Sequence, residues 1–278
     1  HTDVANIVYN YYKNLYVCSG LKENSWFYFN ELTGRWKETE QGHILRMKLS
    51  TDIIDIYSHY SEIYKDKRGP DPESETYEIY DRKHTNCMKV MIKLKDYTYK
   101  DKIMKECKDK FYDGEFMDKL NSKKNLIGFD NGVIDLKYES LDHNNNIKQE
   151  TIFRQGRPDD YVSLSTGYPL KISKMPIELN DINNEIENIV MNSLIDKDKE
   201  FSQIESSFEK FIKQVIPIDD VRNYLFRFLS SCLSGEVREE KFRLWTGSGG
   251  NGKSKIIELF NLILGKYSGQ LDVSSIAV

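Results

Sequence analysis

Residues 241–265 read KFRLWTGSGGNGKSKIIELFNLILG. Within them, Gly247-Ser248-Gly249-Gly250-Asn251-Gly252-Lys253-Ser254 is a complete G-x-x-x-x-G-K-[ST] loop. Lys241 to Trp245 is short and apolar-alternating, which predicts a strand entering the loop. After the loop, Ile256, Ile257, Leu259, Phe260, Ile263 and Leu264 recur at helical spacing, and Gly265 stands where a helix C-cap belongs. Strand, glycine-rich turn and helix are the context this motif requires. Gly247, Gly249, Gly250 and Gly252 let the backbone bend so that its N–H groups face inward on phosphates. The first turn of the helix adds open N–H groups and a positive dipole end. The spacing therefore predicts a site for ATP and Mg²⁺. Lys253 is the catalytic cation on the β- and γ-phosphates, and the Ser254 hydroxyl is the metal ligand. A chance match in a chain this long is expected about one time in a hundred, which disfavours a coincidental strand–helix turn.

Working outward, 278 residues favour about two domains with ample material for a core. The net charge of −4 argues against nonspecific DNA coating, yet it leaves room for a local basic surface. Cys18, Cys87, Cys107 and Cys232 are scattered, with no C-x-x-C pair and no histidine at ligand spacing. That argues against zinc and fits a reducing, intracellular compartment. No apolar run approaches the length of a membrane span. The chain begins at His1 rather than Met, so it reads as a piece of a longer protein.

Thr2 is the expected N-cap of a first helix with Val4, Ile7, Val8, Tyr11 and Leu15 on one face. Ser25–Asn30 and Arg35–Lys37 predict two strands around Leu32-Thr33-Gly34. Trp26, Phe27, Tyr28, Phe29 and Trp36 make that hairpin aromatic. Exposed, it could stack bases; buried, it is a hairpin core, which the interior preference of large aromatics favours. One helical segment is expected over about 42–64, and Gly69-Pro70-Asp71-Pro72 then breaks the chain. From Arg82 to Lys124, thirteen Lys/Arg stand against seven Asp/Glu, with Tyr97, Tyr99, Phe111 and Tyr112 interleaved. This segment reads equally as a nucleic-acid-facing surface or as solvated helix faces.

Leu126–Phe129 and Val133–Leu136 predict a hairpin around Asp130-Asn131-Gly132, because Asn-Gly supplies two positive-φ turn residues. Asp135 reads as a carboxylate on an exposed strand position rather than a catalytic acid. Leu141–Glu150 reads as a loop, and Asp181–Phe208 as a polar, helix-rich connection. From Asp219 a helix is expected with Val221, Tyr224, Leu225, Phe228, Leu229 and Cys232 on one face and Gly235 after it.

Three segments together resemble the viral and phage-type primase–helicases, the group typified by the poxvirus primase–helicase. They are Asn125 to Leu136, Arg157-Pro158-Asp159-Asp160-Tyr161 continuing to Thr166-Gly167-Tyr168, and Tyr224 through the loop to Tyr267. The first two resemble the domain that sits just before the helicase. The third resembles the entry to a superfamily 3 helicase, whose phosphate loop often carries asparagine before the final Gly-Lys, as Asn251 does here.

The expected fold class is therefore α/β overall. An N-terminal α+β pre-helicase domain over 1–215 precedes a helical connection and the start of a truncated, AAA+-like P-loop strand–loop–helix unit over 216–278. The resemblance implies an ATP-driven replicative DNA helicase of a large DNA virus, at the viral replication site, with DNA as partner and self-association as a ring, expected to be a hexamer. It also implies that the acidic strands, sensor and arginine finger lie beyond Val278, so this chain alone should be inactive. Two rival classes stay open. One is a small-molecule P-loop kinase, although more than 240 residues precede the loop here; the other is a non-enzymatic oligomerisation or DNA-binding module.

Overall fold

The computed structural model describes residues 1–141, 146–171, 198–235, 241, 243–272 and 274. It is a mixed helix-and-sheet fold. The chain divides into two compact units, residues 1–30 with 36–119, and residues 31–35 with 120–278.

The first unit opens with α1 (Thr2–Tyr12), followed by the strands β1 (Tyr16–Gly20), β2 (Ser25–Asn30) and β3 (Arg35–Glu40) in sheet order β1-β2-β3. Then come α2 (His43–Ser50), α3 (Asp52–Lys67), α4 (Glu75–Lys93), α5 (Tyr97–Lys110) and the single turn α6 (Phe116–Lys119). Val8, Trp26, Leu45, Leu49, Ile53, Leu94 and Ile103 form one fully buried core. Two of its helices, α4 and α5, start where a side chain satisfies an open N–H group: Ser74 accepts from Tyr77 N at 3.1 Å, and Asp96 from Tyr99 N at 2.7 Å.

α1 departs from expectation at both its cap and its face. His1 occupies the N-cap, and the Thr2 hydroxyl instead donates to Glu106 on α5. Tyr11 is exposed; Ala5 and Tyr12 pack in its place beside Val4 and Val8. The expected single helix over 42–64 is two. At Thr51 the backbone leaves helical geometry (φ −119°, ψ −92°), and its hydroxyl donates to Asp52 Oδ1 at 2.8 Å, with Met47 O 3.3 Å away. A β-branched residue with a hydroxyl favours such a local exchange over the helix ladder. Asp52 also accepts from Lys48 and from Tyr12, both at 2.8 Å. Burial alone would raise its pKa, but these donors hold the carboxyl down at about 2.

The aromatic hairpin is core. Trp26, Phe27, Phe29 and Trp36 are all buried, with Trp36 edge-on to Phe29 and to Phe116 at 5.7 and 5.0 Å between centroids. A ring already enclosed on both faces cannot stack a base, so the base-stacking alternative is removed for these four residues.

The second unit holds the antiparallel meander β4 (Leu126–Phe129), β5 (Gly132–Leu141) and β6 (Ile147–Arg154). The helices α7 (Asp198–Val215), α8 (Asp219–Leu233) and α9 (Lys253–Leu264) follow. Residues 172–197, most of the expected polar connection, lie outside the described residues. The β4–β5 hairpin forms as expected, but its turn is Asp130-Asn131, since Phe129 pairs with Gly132. Neither Asn131 nor Gly132 takes a positive φ. Gly132 is needed for space instead: a Cβ there would lie 2.6 Å from the Phe153 ring. Among the described residues of the region expected as a loop over 141–150, Leu141 and Ile147 to Glu150 lie in the ladder, because β5 runs to Leu141 and β6 begins at Ile147.

Asp135 is buried, not on an exposed strand position. Arg154 bridges it at 3.1 Å and Asp160 at 2.7 Å, while Asn125 donates to its other oxygen. Burial works against the Arg154 charge, yet the two carboxylates more than compensate and raise its pKa. The network ties β5, β6 and the turn Pro158–Asp160 together, so Asp135 is structural.

Candidate nucleotide site

The loop after Thr246 delivers its last glycine to the start of α9. Gly252 is the N-cap in the left-handed region (φ 79°), and its carbonyl receives the N–H groups of Lys255 and Ile256. No side chain caps this helix. The N–H groups of Lys253 and Ser254 at the start of α9 therefore remain available to an anion, with the helix dipole behind them. Gly250 also takes a positive φ, 76°.

Lys253 Nζ donates to Asn251 Oδ1 at 2.5 Å. Both side chains lie across Gly247, where an added Cβ would come 2.5 Å from Asn251 Nδ2 and 2.8 Å from Lys253 Nζ. The structure thus gathers Gly247, Asn251, Gly252 and Lys253. Ser248, Gly249, Gly250 and Ser254 are exposed, and a Cβ on Gly249 or Gly250 would meet nothing within 4 Å. Ser254 lines a different cavity from Lys253, of about 640 Å³, with Ile257, Glu258 and Asn261. Adjacent helical residues point about 100° apart, which separates the two predicted roles around the first turn.

The expected strand over 241–245 is not formed among the described residues: Lys241 and 243–248 are irregular. A parallel strand needs neighbours to hydrogen-bond, and the described strands all belong to the two three-stranded sheets β1-β2-β3 and β4-β5-β6. Instead the loop rests on helices. Ile212 of α7, Leu225 of α8 and Ile256 of α9 are buried together, with Val215, Phe228 and Trp245 against them. A Cβ on Gly252 would lie 2.7 Å from Val215 Cγ2, so the end of α7 abuts the loop. A cavity of about 400 Å³ opens here, lined by Ile216, Pro217, Phe228, Trp245 and, at its polar end, Asn251 and Lys253. The motif does not flag the residues contributed by α7 and α8; only their place in the fold brings them to Lys253.

The basic segment 82–124 presents Lys89, Lys93, Lys102 and Lys105 to solvent. Lys100 instead donates to Ser50 Oγ at 2.8 Å, and Lys105 lies 3.5 Å from Asp101. Of the interleaved aromatics, Tyr97 and Tyr112 are exposed, Tyr99 is half-buried and Phe111 is core. The Arg46 guanidinium lies 3.9 Å from the Tyr97 ring centre.

No helix among the described residues is long and apolar enough to cross a membrane. All four cysteines are free, and burial pushes Cys107 up to about 12.

A sequence family described as "D5 N terminal like" matches residues 5–217. A "Putative helicase" of Acanthamoeba polyphaga mimivirus is 31% identical over 274 residues, covering 98% of this chain and 24% of the relative. One of Invertebrate iridescent virus 3 is 27% identical over 184 residues, covering 66% of this chain and 16% of its own length. One of Frog virus 3 (isolate Goorha) is 21% identical, covering 98% of this chain and 33% of its own length. The chain thus spans a third or less of the length of each of these relatives.

Proposed function

Because this chain belongs to the D5 N terminal like family, within the viral primase–helicases that carry a domain before the helicase, we propose that it is the part of an ATP-driven replicative DNA helicase that joins the pre-helicase domain to the nucleotide site. The family match ends at residue 217, and we take the boundary between the two functional parts as 215/216.

The observation that carries this reading is the left-handed Gly252 opening α9 directly beneath Lys253. Such a cap leaves amide donors unpaired at the point where the ammonium group reaches, which is the chemistry a polyphosphate requires. Gly247 to Gly252 form the cradle, Lys253 neutralises β/γ charge, and Ser254 is the candidate metal ligand. The apolar cavity beside Trp245 suits the nucleoside end. Bound Mg·ATP would supply the phosphoanhydride whose hydrolysis drives movement on DNA. Lys253 must leave Asn251 to meet a phosphate, and Asn251 is then free to orient the loop backbone.

Hydrolysis also needs a positioned water, acidic metal partners and a neutralising arginine. We place these in the length that the relatives have beyond this region, on a neighbouring subunit of a ring where geometry demands it. Residues 1–278 alone are accordingly expected not to turn over ATP. The four free thiols fit the reducing interior where viral replication proceeds.

The test is DNA-stimulated ATP turnover by the full-length protein. Lys253→Ala should abolish it while leaving the fold intact. Turnover that survives without Lys253 would refute the site, and turnover indifferent to DNA but responsive to a small phosphoryl acceptor would favour a kinase.

A further inference from the structure

The other end of the phosphate-loop helix is anchored as firmly as its start is open. Tyr267 ends the short turn Gly265–Tyr267 that closes α9. Its hydroxyl accepts from Gly128 N of β4 at 2.8 Å and donates to Leu164 O at 3.3 Å. Alongside, Lys266 N donates to Ser165 O at 3.2 Å, and the Tyr168 hydroxyl donates to Ile263 O at 2.7 Å. These groups are distant in sequence but lie in one compact unit. The approach is built around missing side chains: a Cβ on Gly128 would lie 2.4 Å from Leu164 O, and one on Gly265 would lie 2.0 Å from Thr166 O.

From this latch a hydrogen-bonded route continues. Ser165 Oγ donates to Asp130 Oδ1 at 2.8 Å, and Arg35 Nη2 donates to the same oxygen at 2.9 Å. Thr166 N donates back to Gly128 O at 3.0 Å. At the opposite end of α9, about 18 Å away by helical rise, Lys253 waits on Asn251. The helix is held near its start by Ile256 and at its end by the latch, so a displacement of its first turn passes along its hydrogen-bonded backbone. A shift of the first turn of α9 that accompanies an anion on its open N–H groups is then either passed to the latch or opposed by it.

We propose that Tyr267 is a positioning residue that couples the state of the phosphate loop to the β4–β6 sheet. The inference rests on the nucleotide reading of that loop and adds the element through which the pre-helicase domain senses it. Coupling of this kind is reciprocal: if occupied loop and closed latch favour each other, breaking the latch weakens the nucleotide by the same factor.

Amide hydrogen exchange of residues 1–278, with and without saturating Mg·ATP, tests this. Nucleotide should slow exchange at Gly128 and at residues 164–168 by about fivefold or more, the scale set by one hydrogen bond. That response should vanish in Lys253→Ala, whose latch is intact, and in Tyr267→Phe, whose loop is intact. Far-ultraviolet circular dichroism of Tyr267→Phe checks that it folds, and Tyr168→Phe, which removes the bond to Ile263, should reduce the response in the same direction. Lys253-dependent binding with unchanged exchange at Gly128, or a response that survives Tyr267→Phe, would overturn the coupling while leaving the nucleotide site standing. Absence of any Lys253-dependent binding would overturn the site and the coupling together.

Discussion

Arg154 holds Asp135 and Asp160 where water does not reach. Removing the cation leaves two carboxylates facing each other without a counter-charge, and breaking such a buried cluster costs about 3–5 kcal/mol. Arg154→Met should lower the urea midpoint of the chain accordingly; a loss below about 1 kcal/mol would show that the carboxylates find other partners. Asp52 makes a smaller, pH-dependent contribution. Its folded pKa of about 2 lies below the unfolded value near 4, so its stabilisation is present above about pH 4 and is lost as pH falls toward 2. Its side chain is 38% exposed, which limits the effect to about 1 kcal/mol or less. Asp52→Asn should flatten the stability profile between those pH values, and an unaltered acid limb would contradict the assignment.

Among the elements, α9 depends most on a single backbone geometry. Gly252→Ala places a Cβ in the left-handed region and 2.7 Å from Val215, a change worth about 1–2 kcal/mol from the backbone alone. Nucleotide affinity should fall with it, and retention of full affinity would show that the cap is not part of the cradle. The helices α8 and α9 were legible because their apolar residues recur with helical period and each is followed by a glycine. Both hairpins were legible from short apolar runs around turn residues. Other features depended on partners remote in sequence. The polar ends of β5 and β6 have no apolar pattern and are held by pairing to each other. Asp135 is buried because Arg154 lies across the ladder, nineteen residues away. Lys241–Trp245 has the composition of a strand but no strand to pair with among the described residues. Within the site, the motif marks Gly247 through Ser254, whereas Val215, Trp245 and Tyr267 enter only through packing.

At the scale of the whole molecule, a loop proposed to take nucleotide is joined to a domain proposed to meet DNA. The exposed lysines of α4 and α5 are the best basic surface in the first unit. Replacing Lys89, Lys93, Lys102 and Lys105 together should weaken DNA binding and reduce its salt slope by about 0.9 for each phosphate no longer neutralised. An unchanged slope would return those helices to ordinary solvated faces. Everything else depends on residues 247–254 holding a nucleoside triphosphate, and Trp245 stands in the same cavity as Lys253. Fluorescence titration of residues 1–278 with Mg·ATP, following Trp245 in a Trp26→Phe, Trp36→Phe background that is shown to fold, reads that binding directly. A saturable change that disappears in Lys253→Ala is the predicted result; a change of equal size and midpoint in both proteins would contradict it.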